Sequence, residues 1–173
     1  MKKYLLFIPL LLLGACSVFE TKIDLQHEMD FVINSSVATF SGSQVLDPTT
    51  NKKFQENVDK IKDVKITKIS YTISDFNGPD TQTASVSLDF ADASGNNKQN
   101  FGALSNVILK VENGNEKFFN LNNAQLAAMA ALFKTPPNKF TIYNSGSFNQ
   151  APAKFKMKLK FYNEYEVKIF PLN

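Results

Sequence analysis

The chain has 173 residues, enough for one domain with a sizeable core, and 43% of them are hydrophobic against 20% charged. Every one of its 19 basic residues is lysine, and the formal charge is only +3, so the guanidinium forks and strong positive field that nucleic-acid recognition uses are missing. A single cysteine and a single histidine exclude an internal disulfide and a zinc site of three or four Cys and His ligands.

The chain opens with Met1-Lys2-Lys3, a short apolar run from Tyr4 to Leu13, and then Leu13-Gly14-Ala15-Cys16. The apolar run is too short to cross a bilayer core, which takes about 20 helical residues. A basic start followed by a short apolar stretch reads as a signal peptide. Leu13-Gly14-Ala15-Cys16 resembles the lipobox of bacterial lipoproteins. That resemblance implies cleavage of residues 1–15 and lipidation of Cys16. It also implies an outer-membrane address, because Ser17 stands where an inner-membrane retention signal has aspartate. Whether the domain faces the periplasm or the cell surface stays open, and an ordinary secretory signal with a chance cysteine is the alternative. Two or more acyl chains anchor stably where one does not.

Residues 16–28 show no sustained period and read as a lipidated tether, leaving 29–173 as the folded domain. His27 falls in this tether among Asp24, Glu28 and Asp30, and reads as a surface histidine. From Met29 to Phe40 strand formers dominate, with Asn34-Ser35-Ser36 as a bulge. Asp47-Pro48-Thr49-Thr50 is a turn, and Phe54, Val58 and Ile61 at helical spacing predict a short helix over 51–61. In Val64 to Ile73 the apolar phase slips between Ile66 and Ile69, the mark of a β-bulge. Asn77-Gly78-Pro79-Asp80 is a loop, and Ala84, Val86, Leu88 and Phe90 alternate with Ser85, Ser87 and Asp89 as a half-buried strand.

After the turn at Ala93-Ser94-Gly95-Asn96-Asn97, the apolar residues Val107, Leu109 and Val111 lead to Asn113-Gly114, which predicts a hairpin into Phe118-Phe119. Asn123 to Phe133 is a helix capped by Asn122 or Asn123 and stopped by Pro136-Pro137. Phe140 to Phe148 is a strand interrupted at Ser145-Gly146-Ser147. The clearest element is the last. From Ala153 to Phe170 the residues Phe155, Met157, Leu159, Phe161, Tyr165, Val167 and Ile169 alternate with Lys154, Lys156, Lys158, Lys160, Glu164, Glu166 and Lys168. A period of two puts the apolar set on one face and the charged set on the other. The expectation is an all-β, immunoglobulin-like antiparallel β-sandwich with one or two short helices in its connections.

Chemistry is sparse. No nucleophile elbow, phosphate loop or dinucleotide fingerprint occurs, so no catalytic residues are assigned and an enzyme is not expected. Asp75, Asn77 and Asp80, and Asp89, Asp92, Asn96 and Asn97, supply oxygen donors, but without the spacing of a calcium loop they read as turn formers; no metal or cofactor is expected. Lys154, Lys156, Lys158 and Lys160 form a charged row for anionic lipid or an acidic partner, or else a solvated face paired with neighbouring acids. Val64-Lys65-Ile66-Thr67-Lys68-Ile69, Phe101-Gly102-Ala103-Leu104-Ser105 and the lysine-alternating tail resemble the uncharacterised β-sandwich lipoproteins of Bacteroidetes, a group that brings no catalytic residues. The expected role is a membrane-anchored envelope lipoprotein that binds or scaffolds another envelope protein through the lysine face or a sheet edge. The alternative is a carrier with an apolar cavity of about 300 Å³ or more.

Overall fold

A computed structural model describes residues 19–169. Eight strands form two antiparallel four-stranded sheets. They are β1 (Phe19–Ser35), β2 (Thr39–Leu46), β3 (Ile61–Ser74), β4 (Thr83–Asp92), β5 (Gln99–Ile108), β6 (Glu116–Phe118), β7 (Phe140–Phe148) and β8 (Ala153–Ile169). One sheet runs β1-β8-β3-β6 and the other β2-β7-β4-β5. The expected all-β antiparallel sandwich is what forms. Its connectivity is that of a jelly roll, in which all consecutive strands but β4 and β5 pass between sheets, and not the immunoglobulin order of ABED on CFG.

The final strand behaves as its alternation requires. Phe155, Met157, Leu159, Phe161, Tyr165 and Val167 are buried, and the lysines face out. β8 sits between β1 and β3, so its apolar face is the centre of one sheet's inner surface. The phase slip in β3 is a register shift against β8 between Ile66 and Lys68, with Thr67 as the extra residue donating to the Tyr162 carbonyl. Opposite lie Val86, Leu88 and Phe90 of β4 and Phe140 and Ile142 of β7, all buried.

The expected tether over 16–28 is corrected. Residues 19–28 are the first part of β1, which pairs with β8 along its whole length from Phe19↔Ile169 to Ser35↔Ala153. Ile23, Leu25, His27, Met29, Phe31 and Ile33 point inward with period two, so the segment buries too much apolar surface to stay free. Asn34-Ser35-Ser36 is the end of β1, not a bulge within a strand. The expected helix over 51–61 is broken into α1 (Lys52–Gln55), seated by the fully buried Phe54, and a 3-10 turn (Val58–Lys60), while the turn before it is another 3-10 turn (Pro48–Thr50). Asn113-Gly114 closes no hairpin. α2 (Leu109–Glu112) precedes it, and β6 leaves β5's sheet to pair with β3. α3 (Asn123–Lys134) has the expected Asn122 cap, completed by Gln125 as a capping box.

Ser145-Gly146-Ser147 is likewise no interruption, because β7 keeps continuous register with both β2 and β4 there. Gly146 is needed for space: a Cβ would collide with the Ser85 carbonyl and stand 2.6 Å from the Phe40 ring, which lies across this point of β7.

Candidate functional site

Three surfaces carry chemistry: the outer face of the β1-β8-β3-β6 sheet, the hollow at the pole where β8 begins, and the edge formed by β2. The lysine row lies on the first. Lys156 pairs with Asp75 at 2.9 Å, Lys158 with Glu28 at 3.0 Å, and Lys160 with Glu28 at 3.3 Å and Glu116 at 3.9 Å. The hydrogen bond from Lys158 holds the Glu28 carboxyl below its ordinary range, and Glu28 in turn raises Lys158. Further along the same face Lys22 pairs with Glu164, and Lys62 with Glu20 and Glu166. Three of the four row lysines are thus neutralised within the sheet, and exposed pairs of this kind contribute at most about 1 kcal/mol each. Lys154 alone of the four has no carboxylate within ion-pair distance among the described residues. Cys16 lies outside the described residues.

His27 is a second correction. It is not on the surface but 5% exposed, between the rings of Phe54, Phe133 and Tyr165. Burial pushes its pKa down from 6.5 to about 4, so at neutral pH the imidazole is uncharged. The Tyr165 hydroxyl, whose own pKa burial raises, lies 2.8 Å from His27 Nε2 and accepts from Asn163 Nδ2 at 2.9 Å. A hollow of about 300 Å³ borders His27 between Glu28 and Asp47, but the imidazole itself packs inward among the rings, and the trio reads as a polar strut in an aromatic core. Asn163 went unnoticed in the sequence because it breaks the apolar phase of β8 at a position flanked by Phe161 and Tyr165.

The oxygen-rich loops are occupied by turn chemistry. Asp92 Oδ1 accepts from the backbone N–H groups of Ser94 and Asn96, both at 2.9 Å, and Asp89 pairs with Lys98. Asp75 is held by Lys156, and Asp80 approaches Lys110 at 3.9 Å.

The sheet edges differ sharply from one another. β1 carries Glu20, Lys22, Asp24, Glu28 and Asp30 along its length. β6 is three residues long and charged. β5 is broken by two register shifts against β4 and by a positive φ of 50° at Asn106. These are the usual ways of blunting an edge. β2 has none of them. Thr39-Phe40-Ser41-Gly42-Ser43-Gln44-Val45-Leu46 contains no charge and no proline, and its eight residues pair with β7 without a shift. Among the described residues its far edge has no strand partner. One hollow of about 330 Å³ separates it from Phe31–Ser35 of β1, and another of about 290 Å³ lies between Ser41–Ser43 and Lys98, Tyr143 and Ser145. Val32 and Val45 stand exposed beside them. Within reach of both hollows, the buried Asn144 has an Oδ1 with no hydrogen-bond donor among the described residues, beneath Gly42. No sequence periodicity announced this strand, because an edge strand open on both faces has no apolar phase.

No family model and no curated protein matches the chain. Among solved structures it is similar to a chain of tobacco necrosis virus (TM-score 0.42, 14% identity, covering 87% of this chain and 84% of that one). It is also similar to chains of turnip yellow mosaic virus (TM-score 0.42, 9% identity, 88% and 96% covered) and Desmodium yellow mottle tymovirus (TM-score 0.39, 13% identity, 99% and 98% covered). The functional reading therefore rests on the chain's own surface.

Proposed function

We propose that the protein is a lipid-anchored binding module of the bacterial envelope that docks an extended segment of another envelope protein onto the β2 edge. The observation that carries the reading is the edge itself: a regular, uncharged, proline-free strand whose outer hydrogen-bonding groups have no strand partner, on a molecule whose other edges are blunted. Strand addition would satisfy those groups, with specificity from side chains entering the hollows on either side. The lysine row suits this role less well, because its charges are spent on the sheet's own acids. The interior is filled by Phe101, Phe133, Phe140, Phe155 and Phe161, each at most 1% exposed, which favours a docking module over a carrier of apolar ligands.

The anchor sets the orientation. Only three residue steps separate Cys16 from Phe19, a span of about 11 Å at most. A lipid on Cys16 would hold the start of β1 close to the membrane, where Phe19 and Ile169 pair and are both exposed. The opposite pole, at the far end of the 17-residue β1, would then stand about 50 Å away.

The test is capture of partners from envelopes with the lipidated protein, identified by mass spectrometry. Ser41→Lys with Ser43→Lys places charge on the open edge without touching the core. The double variant should lose a partner that the wild type and a variant with all four row lysines changed to glutamine both keep. A partner retained by the edge variant and lost with the lysines would assign binding to the wrong surface.

A further inference from the structure

The pole opposite the start of β1 holds a hollow of about 500 Å³, formed where the β3–β4 loop folds over the beginning of β8 and the end of β1. Its volume suits a small-molecule ligand of one or two rings. The walls are rich in side-chain amides, Asn34, Asn77, Gln82 and Gln150, and the one cation lining it among the described residues is Lys154. Asp75 also lines it, but that carboxylate is committed to Lys156 at 2.9 Å. That leaves Lys154 at the mouth as an ammonium with no carboxylate within ion-pair distance among the described residues.

The floor is rigid. Gln82 is fully buried, and its Nε2 donates to the carbonyls of Gln150 at 2.7 Å and Pro152 at 3.1 Å, tying the β3–β4 loop to the β7–β8 loop. Asn149 repeats the tie, accepting from the Thr83 N–H at 2.8 Å and donating to the Thr81 carbonyl at 3.0 Å. The Phe76 N–H donates to Asn113 Oδ1 at 3.2 Å, which fixes the loop's other end. Gln82 Oε1 is buried and has no donor among the described residues. It lies under Gly78, where any Cβ would collide with it and with the Phe76 ring. The site thus combines a preorganised floor, amides that both donate and accept, an ammonium with no acid within ion-pair distance among the described residues, and the apolar surfaces of Pro79 and Pro152.

We infer that this pole is a binding site for a small hydroxylated carboxylate, of the class of a sugar acid. The acid group pairs with Lys154, the hydroxyls bond to Asn34, Asn77 and Gln150, and a ring face lies on the prolines. An anion without hydroxyls leaves the amides unused, and a neutral sugar leaves the ammonium unpaired, so both halves of the ligand are needed for tight binding. The site shares Asn34 with the hollow beside the β2 edge but uses no residue of β2 itself, and it does not involve the anchor. Placed at the pole away from Phe19, it is free for either a soluble acid or an acidic unit within a polymer.

The experiment is a titration of the purified full chain, followed by amide and side-chain NMR shifts, with glucuronate, glucose, acetate and an oligogalacturonate as probes. Glucuronate or the oligomer should shift Asn34, Asn77, Gln82 and Lys154 together, while glucose and acetate leave them unmoved at ~10 mM. Binding by the oligomer alone assigns the site to a polymer, and binding by glucuronate assigns it to a free acid. Lys154→Gln, an exposed change that leaves the core intact, should weaken the interaction about tenfold or more. Equal response to glucose and glucuronate, an affinity unchanged in Lys154→Gln, or no shift with either acid would overturn the assignment.

Discussion

Acidification tests the core most sharply through His27, because the chain has no other histidine to confuse the reading. Its native pKa of about 4 lies below the ordinary 6.5, since the buried site disfavours the imidazolium. The unfolded chain therefore binds a proton at higher pH than the native chain does, and stability is lost as pH falls through 6.5 towards 4. The loss runs at up to about 1.4 kcal/mol per pH unit, reaches about 2 kcal/mol between pH 7 and pH 5, and levels off near 3 kcal/mol below about pH 4. The surface carboxylates act in a different window. Glu28, Glu116 and Glu164 are held below 4.5 by hydrogen bonds to Lys158, Ser70 and Lys22 respectively, so their contribution is present above about pH 4.5 and disappears below it. Urea unfolding followed by far-UV circular dichroism at pH 7, 6 and 5 isolates the histidine. His27→Gln keeps an acceptor for the Tyr165 hydroxyl but cannot titrate, and should show almost no change over that range. A wild type and a His27→Gln variant that lose stability equally between pH 7 and 5 would refute the buried, neutral imidazole.

Other substitutions probe the same architecture. Leu159→Ala, at a fully buried position of the central strand, should cost about 2–5 kcal/mol in urea unfolding, while Lys158→Ala on the opposite face should cost under about 0.5 kcal/mol. Gly146→Ala should cost about 1–3 kcal/mol or more, because the new methyl meets the Ser85 carbonyl and the Phe40 ring; a neutral result would mean that the Phe40 ring does not lie across β7 at this point. Cys16→Ala should leave an unprocessed or soluble precursor, and a free, unacylated cysteine at the wild-type N-terminus by mass spectrometry would contradict the anchor. Changing Lys154, Lys156, Lys158 and Lys160 to glutamine should alter binding to anionic vesicles little, since three of the four already face acids; salt-sensitive binding lost in that variant would restore the row as a membrane contact.

What could be seen in the sequence was whatever followed a local period. β8 and β4 are legible because one face is buried and the other wet, and the bulge at Thr67 shows as a slip of that period. β1 was legible too: Ile23, Leu25, His27 and Met29 keep strict alternation with Lys22, Asp24, Gln26 and Glu28, and treating His27 as polar hid it. Connectivity was not legible, because β1↔β8 and β3↔β6 pairings join distant segments and no local pattern records them. Asn113-Gly114 shows the limit: the turn chemistry is real, but the following strand pairs across the fold. For the candidate sites, Lys154 looked like its three neighbours, and only the positions of Asp75, Glu28 and Glu116 set it apart. Gln82 gave no signal, since its role is to bond two carbonyls of a loop 68 and 70 residues away.

Amide hydrogen exchange of the lipidated protein, with and without its captured envelope partner, tests the docking edge most directly. Strand addition gives the unpaired N–H groups of β2 hydrogen-bond partners, so the account predicts new protection concentrated in Thr39–Val45, with the outer face of β8 unchanged. Protection that leaves β2 untouched and falls instead on Lys154–Lys160 and their acidic neighbours would contradict it.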